Sequence, residues 1–142
     1  MRLVGIDFGE KRIGVAAADD KLGLAIPVGT VDAAGDPVET IVRVAAEERA
    51  DALVIGLPLS LTGAEGPQAQ VVREAVAALE SRINIPIHLQ DERLTTRQAA
   101  LSGPAKKKGV SRAKAGAPTR DAAAASILLQ AYIDTYIRDA HG

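Results

Sequence analysis

The apolar pattern of this chain changes period near residue 36, and this change constrains the fold more than any other feature. Before it lie three strand-like segments, residues 1–8, 12–18 and 24–31, with short connections between them. Two short connections in succession predict an antiparallel three-strand meander. After residue 36, helix-like and strand-like segments alternate, which is typical of parallel strands joined by right-handed crossovers.

The second half begins with a helix-start pattern. Asp36 is a suitable N-cap, Pro37 suits the first helical position, and Glu39 is placed to complete a capping box. The segments predicted after this helix are a strand at 52–57, a helix at 67–80, a strand at 85–90 and a short helix at 95–102. A mobile basic loop is predicted at about 103–118 and a last helix at 120–138, with Thr119 as its cap. The residues that we expect this last helix to bury are Ala124, Ile127, Leu128, Ala131 and Ile133. We therefore expect a single α/β domain over residues 1–142, with a mixed five-stranded sheet flanked by helices.

The composition excludes several kinds of site. Hydrophobic residues make up 47% of the chain but aromatic residues only 2%, so the core must consist mainly of Ala, Val, Leu and Ile. The absence of Cys excludes a disulfide scaffold, a thiolate zinc site and a cysteine nucleophile. His88 lies within a strand and His141 in the tail, so neither suits a Ser-His-Asp triad. No secretory or membrane-spanning stretch is visible, and we expect a soluble cytoplasmic protein.

Charge is distributed unevenly along the chain. Residues 93–120 contain eight basic side chains and no acidic one, although the net charge of the whole chain is -1. Such a basic segment inside an otherwise acidic protein predicts a polyanionic partner, such as nucleic acid. A solvated loop without a binding role is the alternative that the charge pattern leaves open.

Three carboxylates fall at positions that the predicted fold would bring together. Asp7 lies at the carboxyl end of the first strand, Glu92 lies just past the strand 85–90, and Asp121 lies in the first turn of the last helix. Because the carboxyl ends of parallel strands share one edge, we expect these residues to converge there. Their oxygens suit Mg²⁺, which supports in-line phosphoryl displacement. Asp91 adjoins Glu92, and since neighbours on a strand point to opposite faces, we expect only one of them in the site.

Each carboxylate also has a purely structural interpretation. Asp7 would cap the turn made by Gly9. Glu92 would pair with Arg93 or another nearby base. Asp121 would complement the dipole of its helix.

Residues 56–66 form a second candidate site because they follow a strand and precede a helix. Gly63 and Gly66 permit close backbone approach, and a helix start offers free N–H groups to a phosphate. The segment lacks the Gly-Lys-Ser/Thr sequence of a nucleotide-binding P-loop. An ordinary glycine-containing loop is the alternative interpretation.

Four sequence blocks together resemble the YqgF (RuvX) family. They are Gly5-Ile6-Asp7-Phe8-Gly9-Glu10-Lys11-Arg12-Ile13-Gly14-Val15-Ala16, Gly56-Leu57-Pro58-Leu59 with Gly63, Asp91-Glu92-Arg93-Leu94-Thr95-Thr96, and Asp121-Ala122-Ala123-Ala124-Ala125 with Ile127-Leu128-Leu129-Gln130-Ala131-Tyr132. The resemblance implies an RNase H-like fold and a nuclease whose catalytic and metal-binding residues are Asp7, Glu92 and Asp121, with Mg²⁺ or Mn²⁺ as the cofactor.

The resemblance also implies a nucleic-acid substrate. We favour endonucleolytic processing of the 5′ end of pre-16S rRNA, with ribosomal particles as further partners. Cleavage of four-way DNA junctions by a homodimer is the alternative, and a non-catalytic nucleic-acid-binding factor is a third. The residues expected to hold phosphates are Lys11, Arg12, Arg93, Lys106, Lys107, Lys108, Arg112 and Lys114.

Overall fold

The computed structural model describes residues 1–9, 11–32, 35–60, 62–93 and 120–138, the last range without the side chains of Arg120, Asp121 and Arg138. Its strands are β1 (Arg2–Phe8), β2 (Arg12–Asp19), β3 (Leu24–Asp32), β4 (Ala52–Leu57) and β5 (Ile87–Asp91), and its helices are α1 (Pro37–Glu47), α2 (Pro67–Glu80) and α3 (Arg120–Tyr132). A π-helical segment, Ile133–Arg138, continues α3. The predicted helix 95–102, the predicted loop 103–118 and the predicted cap Thr119 lie outside the described residues.

The five strands form one mixed sheet in the order β3-β2-β1-β4-β5. β2 is antiparallel to both β1 and β3, whereas β1, β4 and β5 run parallel to one another. The predicted meander and the predicted parallel strands are therefore confirmed. The carboxyl ends of the parallel strands, at Phe8, Leu57 and Asp91, lie along one side of the sheet, which we call the carboxyl edge.

Helices cover both faces of the sheet and create two apolar layers. α1 and α2 cover one face, the α1/α2 face, where Ile6 and Ile55 are fully buried. α3 covers the other, the α3 face, where Leu3, Leu129 and Ile133 are fully buried. β4 is buried along its whole length, as its continuous apolar run predicts. Each buried Leu or Ile contributes roughly 1.5–3 kcal/mol, so aliphatic side chains supply a core in which aromatic residues are scarce.

α3 packs directly on β1 because β1 carries a glycine at the contact. A Cβ atom at Gly5 would lie 3.0 Å from the Cβ of Leu129 and 3.2 Å from the carbonyl oxygen of Ala125. A side chain at this position would push α3 away from the sheet, since protein interiors are close-packed. Gly5 therefore fixes how closely α3 approaches the strand that carries Asp7.

The direction of α3 follows from contacts near its carboxyl end. Gln130 Oε1 accepts a hydrogen bond from the backbone N–H of Ala25, and Gln130 Nε2 donates to the carbonyl of Gly23, both at 2.9 Å. Gly23 and Ala25 lie beside Asp19, which pairs with Arg2 at the amino end of β1. α3 therefore runs antiparallel to β1, and its first turn lies toward the carboxyl edge.

Aromatic stacking joins the carboxyl end of α3 to β5. The rings of His88 and Tyr132 are stacked with centroids 5.3 Å apart, and the rings of Tyr132 and Tyr136 lie 5.0 Å apart. Such pairs add stabilisation beyond the apolar area that they bury. The two tyrosines of the chain are thus concentrated at the far end of the helix from Asp121.

The helix-start pattern at residue 36 is confirmed in part. Asp36 caps α1, accepting hydrogen bonds from the N–H groups of Val38 and Glu39, and Pro37 occupies the first turn. The prediction that Glu39 completes a capping box is wrong, because its carboxylate instead accepts a hydrogen bond from Arg82, beyond the end of α2.

The structure corrects two further details. β5 begins at Ile87 rather than at residue 85, since Pro86 lacks an N–H for a strand ladder and contributes only its carbonyl, which accepts from Leu53. Ala124 and Ile127 are only partly buried, because α3 turns a different face toward Gly5. No helix in the described ranges has both the length and the apolar character that crossing a membrane requires.

Candidate active site

Asp7 and Glu92 meet at the carboxyl edge, although β4 lies between β1, which carries Asp7, and β5, which Glu92 follows. The pairing of Ile6 with Ile55 puts Asp7 level with Gly56 of β4. The carboxyl groups of Asp7 and Glu92 nevertheless share a hydrogen bond. Two of the three predicted site residues are therefore in direct contact.

Gly56 makes this contact possible, and the sequence alone did not indicate that role. A Cβ atom at Gly56 would lie 2.6 Å from Glu92 Oε1 and 2.9 Å from Glu92 Cγ. The side chain of Glu92 therefore occupies the space that a side chain on β4 would fill. Gly56 already stood out as part of a sequence block, but only the cross-strand register reveals what its missing side chain permits.

The pKa of Glu92 is raised from its usual value near 4.5 to about 8. Burial is the main cause, because it disfavours the charged form of a carboxyl group. The hydrogen bond and the negative charge of Asp7 raise the pKa of Glu92 further, and the charge of Asp91 adds to the effect. Without a bound cation, Glu92 thus holds a proton at neutral pH.

Asp91 and Glu92 have separate roles, as expected for adjacent residues. Asp91 Oδ2 accepts from Arg93 Nη2 at 2.6 Å, and Asp91 Oδ1 accepts from the backbone N–H of Arg93 at 2.9 Å. These hydrogen bonds lower the pKa of Asp91, so its carboxylate stays charged. Asp91 therefore binds Arg93, while Glu92 contacts Asp7.

Asp121 is the second residue of α3, and its side chain is not among those that the structure describes. Its neighbour Ala122 is fully buried, and the first turn of α3 points toward the carboxyl edge. Among the described side chains, no three acidic or histidine residues gather into a metal-binding cluster. The described part of the site is thus the pair formed by Asp7 and Glu92.

Gln90 is a second site-adjacent residue that the sequence analysis missed. It pairs with Gly56 across the parallel ladder and is only 2% exposed. Its side-chain nitrogen, Nε2, has no hydrogen-bond partner among the described residues. Buried polar atoms are usually satisfied, so an unsatisfied amide nitrogen on the residue that pairs with Gly56 is unusual. A polar residue at the end of an apolar strand was the only sequence signal.

The basic residues predicted to hold phosphates are only partly described. Lys11 lies between β1 and β2, Arg12 is the first residue of β2, and both are exposed beside the carboxyl edge. The turn between the two strands is tight, because the N–H of Gly9 donates to the Arg12 carbonyl at 2.9 Å. Arg93 extends toward Gly63, with its Nη1 3.4 Å from where a Cβ of Gly63 would lie. Lys106, Lys107, Lys108, Arg112 and Lys114 lie outside the described residues.

The described residues that follow β4 within the segment 56–66 are joined by their own hydrogen bonds. The N–H of Ser60 donates to the Ala64 carbonyl and that of Gly63 to the Ser60 carbonyl, at 2.9 and 2.8 Å. Gly63 has a φ of 89°, a conformation that suits glycine. Gly66 is the N-cap of α2 and supplies no capping side chain.

A cleft of about 300 Å³ opens beside Glu92 on the α1/α2 face. Its described lining is mostly apolar and comes from β1, from the first turns of α1 and α2, and from the end of β4. The apolar side chains that line it are Phe8, Pro37, Pro58, Val71 and Val72. Its described polar side chains are Gln68 and Glu92.

A divalent cation fits the donor set of Asp7 and Glu92. Carboxylate oxygens are the ligands that Mg²⁺ and Mn²⁺ prefer. Burial and the nearby charge of Asp7 make Glu92 retain a proton, and a cation held by these residues would offset the negative charge of both carboxylates.

Comparison with known proteins assigns the chain to a family. The family model described as RuvX, Holliday junction resolvase, matches residues 1–135. The chain belongs to the RuvX family. A protein from Acidiphilium cryptum, named as a pre-16S rRNA nuclease, is 40% identical over 135 residues, covering 94% of this chain and 84% of that protein. A protein from Chloroflexus aggregans with the same name is 39% identical over 134 residues, covering 93% and 92%. The sequence-based predictions of the family and of a nuclease are confirmed.

Solved structures show the same fold. RuvC of Thermus thermophilus has a TM-score of 0.62 at 18% identity, covering 99% of this chain and 97% of that one. The fowlpox virus resolvase in complex with Holliday junction DNA has a TM-score of 0.59 at 12% identity, covering 95% and 98%. At such identities the likeness concerns the fold alone, and it confirms the predicted RNase H-like architecture of the RuvX family member.

Replacing Gly56 by Ala should damage the site without unfolding the protein. The new methyl group must displace the carboxyl group of Glu92, and a displacement of about 1 Å can slow catalysis by about 100-fold. We expect nuclease activity to fall by about 10- to 100-fold, with little change in thermal stability. Gly66→Ala is the matched control, because a Cβ there meets no atom within 4 Å. Equal activity of both variants would contradict the role of Gly56.

The metal-free protein should lose stability as pH rises from about 5 to 9. In this range the unfolded chain releases the proton of Glu92, whereas the folded chain retains it up to its pKa of about 8. Urea unfolding in the presence of a chelator measures this slope. Asp7→Asn removes the facing charge, which adds to the effect of burial on the pKa of Glu92, and should therefore make this loss of stability smaller. Glu47→Gln, an exposed control, should leave it unchanged. A wild-type stability that rises from pH 6 to 9 would contradict the raised pKa.

Proposed function

We propose that this RuvX family member is a divalent-metal-dependent endonuclease that processes the 5′ end of pre-16S rRNA in the cytoplasm. The contact between Asp7 and Glu92 at the carboxyl edge is the observation that carries the catalytic part of the proposal. The names of the relatives, which match over 93–94% of this chain, support the choice of substrate.

Asp7, Glu92 and Asp121 are the residues that we propose to hold Mg²⁺ or Mn²⁺. A bound ion of this kind would lower the pKa of the attacking water and stabilise the charge on the phosphate. The direction of α3 supports the inclusion of Asp121, because the helix begins toward the edge where Asp7 and Glu92 meet.

Glu92 and the neighbouring charged side chains have further roles in the proposed reaction. Glu92 would give up its proton if a cation were bound, so that Asp7 and Glu92 would both hold the ion as charged carboxylates. Lys11 and Arg12, exposed beside the same edge, neutralise substrate phosphates. Asp91 holds Arg93 by a charge-assisted hydrogen bond, which orients its guanidinium toward the turn at Gly63.

Cleavage of four-way DNA junctions is the second candidate, because the description of the matching family model names a Holliday junction resolvase. A junction has two-fold symmetry, so its resolution requires two active sites and hence a dimer. A non-catalytic binding factor is disfavoured, since such a protein has no need for two carboxyl groups held in contact at the cost of a raised pKa.

A cleavage assay with two substrates tests the proposal. Purified protein with Mg²⁺ or Mn²⁺ receives a labelled precursor RNA that spans the 5′ end of 16S rRNA and, separately, a four-way DNA junction. We expect the RNA to be cut, and Asp7→Asn and Glu92→Gln to reduce the rate by at least about 1,000-fold, since both remove a charged ligand.

Glu47→Gln is the control, because it removes an exposed carboxylate away from the site. Symmetric cutting of the junction alone would favour the resolvase. Undiminished cutting of RNA by folded Asp7→Asn protein would refute the site.

A further inference from the structure

The cleft on the α1/α2 face adjoins the carboxyl groups of Asp7 and Glu92, which we call the carboxyl pair. Its chemical character differs from that of the pair. Its volume of about 300 Å³ is at the small end of the range of about 300–1,000 Å³ for small-molecule sites. Phe8, Pro58, Val71 and Val72 give it apolar walls. Val71 is 56% exposed, so an apolar side chain faces an accessible space.

The lining favours an uncharged, planar occupant. Among the described residues that line the cleft there is no Lys or Arg, and Glu92 borders it. A phosphate group is therefore a poor occupant, because no described side chain there would compensate its charge. A nucleobase suits the apolar walls, and the ring of Phe8 provides a surface against which a base can pack. The exposed amide of Gln68 can both donate to and accept from the edge of a base.

The cleft also lies where a neighbour of the cleaved phosphate would be. Asp7 and Phe8 are consecutive in β1, so their side chains point to opposite faces of the sheet. Glu92 contacts Asp7 and also lines the cleft, which connects the two places. A strand that crosses the carboxyl edge with one phosphate at Asp7 and Glu92 would have an adjacent nucleotide at the cleft.

We infer that this cleft receives one unpaired base of the substrate, next to the phosphate that is cut. The inference rests on the proposed nuclease function and specifies its substrate class, namely a strand whose base beside the cleavage site is unpaired or turned out of a helix. Such a base is free to enter a pocket that a stacked, paired base cannot reach.

The inference is tested by a binding experiment that combines abasic substrates with a protein variant in which a larger side chain fills the cleft. The precursor RNA fragment is prepared with a single abasic site at successive positions around the cut, together with the same strand as DNA. Affinity is measured by fluorescence anisotropy in the presence of a chelator, so that no cleavage occurs. Val71→Trp fills the cleft, and Ala77→Trp places the same side chain on an exposed position of α2 as a control.

We expect an abasic site at one position to weaken binding by the wild-type protein by about 10-fold, which is the scale of stacking one base. Val71→Trp should weaken binding of the intact strand by a similar factor. The abasic site should cause no further loss of affinity in this variant. Gln68→Ala should show a smaller loss that also vanishes with the abasic strand, whereas Gln70→Ala on the same helix should bind normally. Coupling seen with RNA alone, or with RNA and DNA, supports the pocket and identifies the strand that it accepts.

The inference is overturned if the losses of affinity caused by Val71→Trp and by the abasic site simply add. It is also overturned if an abasic site has no effect at any position. Failure of the proposed function is a separate result. If the wild-type protein binds with this coupling but cuts neither strand when metal is added, the pocket stands and the nuclease assignment falls. If it cuts RNA without coupling, the nuclease assignment stands and the pocket falls.

Discussion

The contact between the carboxyl groups of Asp7 and Glu92 is the interaction on which the site depends. Asp7 lies in β1 and Glu92 directly follows β5, which is not a neighbour of β1 in the sheet. The two residues meet only because β4, between these strands, carries Gly56. Burial, together with the hydrogen bond and the charge of Asp7, raises the pKa of Glu92 to about 8, so the folded chain keeps Glu92 protonated and avoids two facing charges. The same geometry makes the pair a suitable ligand set for a divalent cation.

The sheet order brings the remaining features to the same edge. Parallel pairing of β1, β4 and β5 aligns their carboxyl ends, and Gly5 lets α3 lie directly on β1. The carboxyl pair and the cleft then occupy opposite faces of one edge and share Glu92. A nucleic-acid strand that crosses this edge would present a phosphate to one face and a base to the other. Because Phe8 lines the cleft, a chain with few aromatic residues would still offer an aromatic surface to such a base.

Local sequence patterns were sufficient to predict most of the fold. Each described strand and helix was predicted within a few residues, because period-2 and period-3.6 patterns and the Asp36 N-cap act locally. Asp7 and Glu92 were also predictable, since each is an acid that directly follows or ends a buried strand. The error at Glu39 arose because a distant residue, Arg82, competes for its carboxylate.

Other features depend on register, which a single sequence does not encode in an obvious form. The space above Gly56, the burial of the Gln90 amide and the cleft beside Phe8 all depend on which residues of different strands lie side by side. The stacking of His88 on Tyr132 likewise joins residues that are far apart in the sequence. Such features become visible only when the strands are placed together.

Calorimetric titration of the metal-free protein with Mg²⁺, in buffers of different ionisation enthalpy, tests the central claim most directly. If a cation replaces the proton held between Asp7 and Glu92, binding at pH 7 should release about one proton per ion, and this number should fall toward zero near pH 9. Asp7→Asn should bind the ion more weakly and release fewer protons at pH 7, because the charge of Asp7 no longer adds to the effect of burial on the pKa of Glu92. Tight binding without proton release at pH 7, or an unchanged profile in Asp7→Asn, would contradict the account.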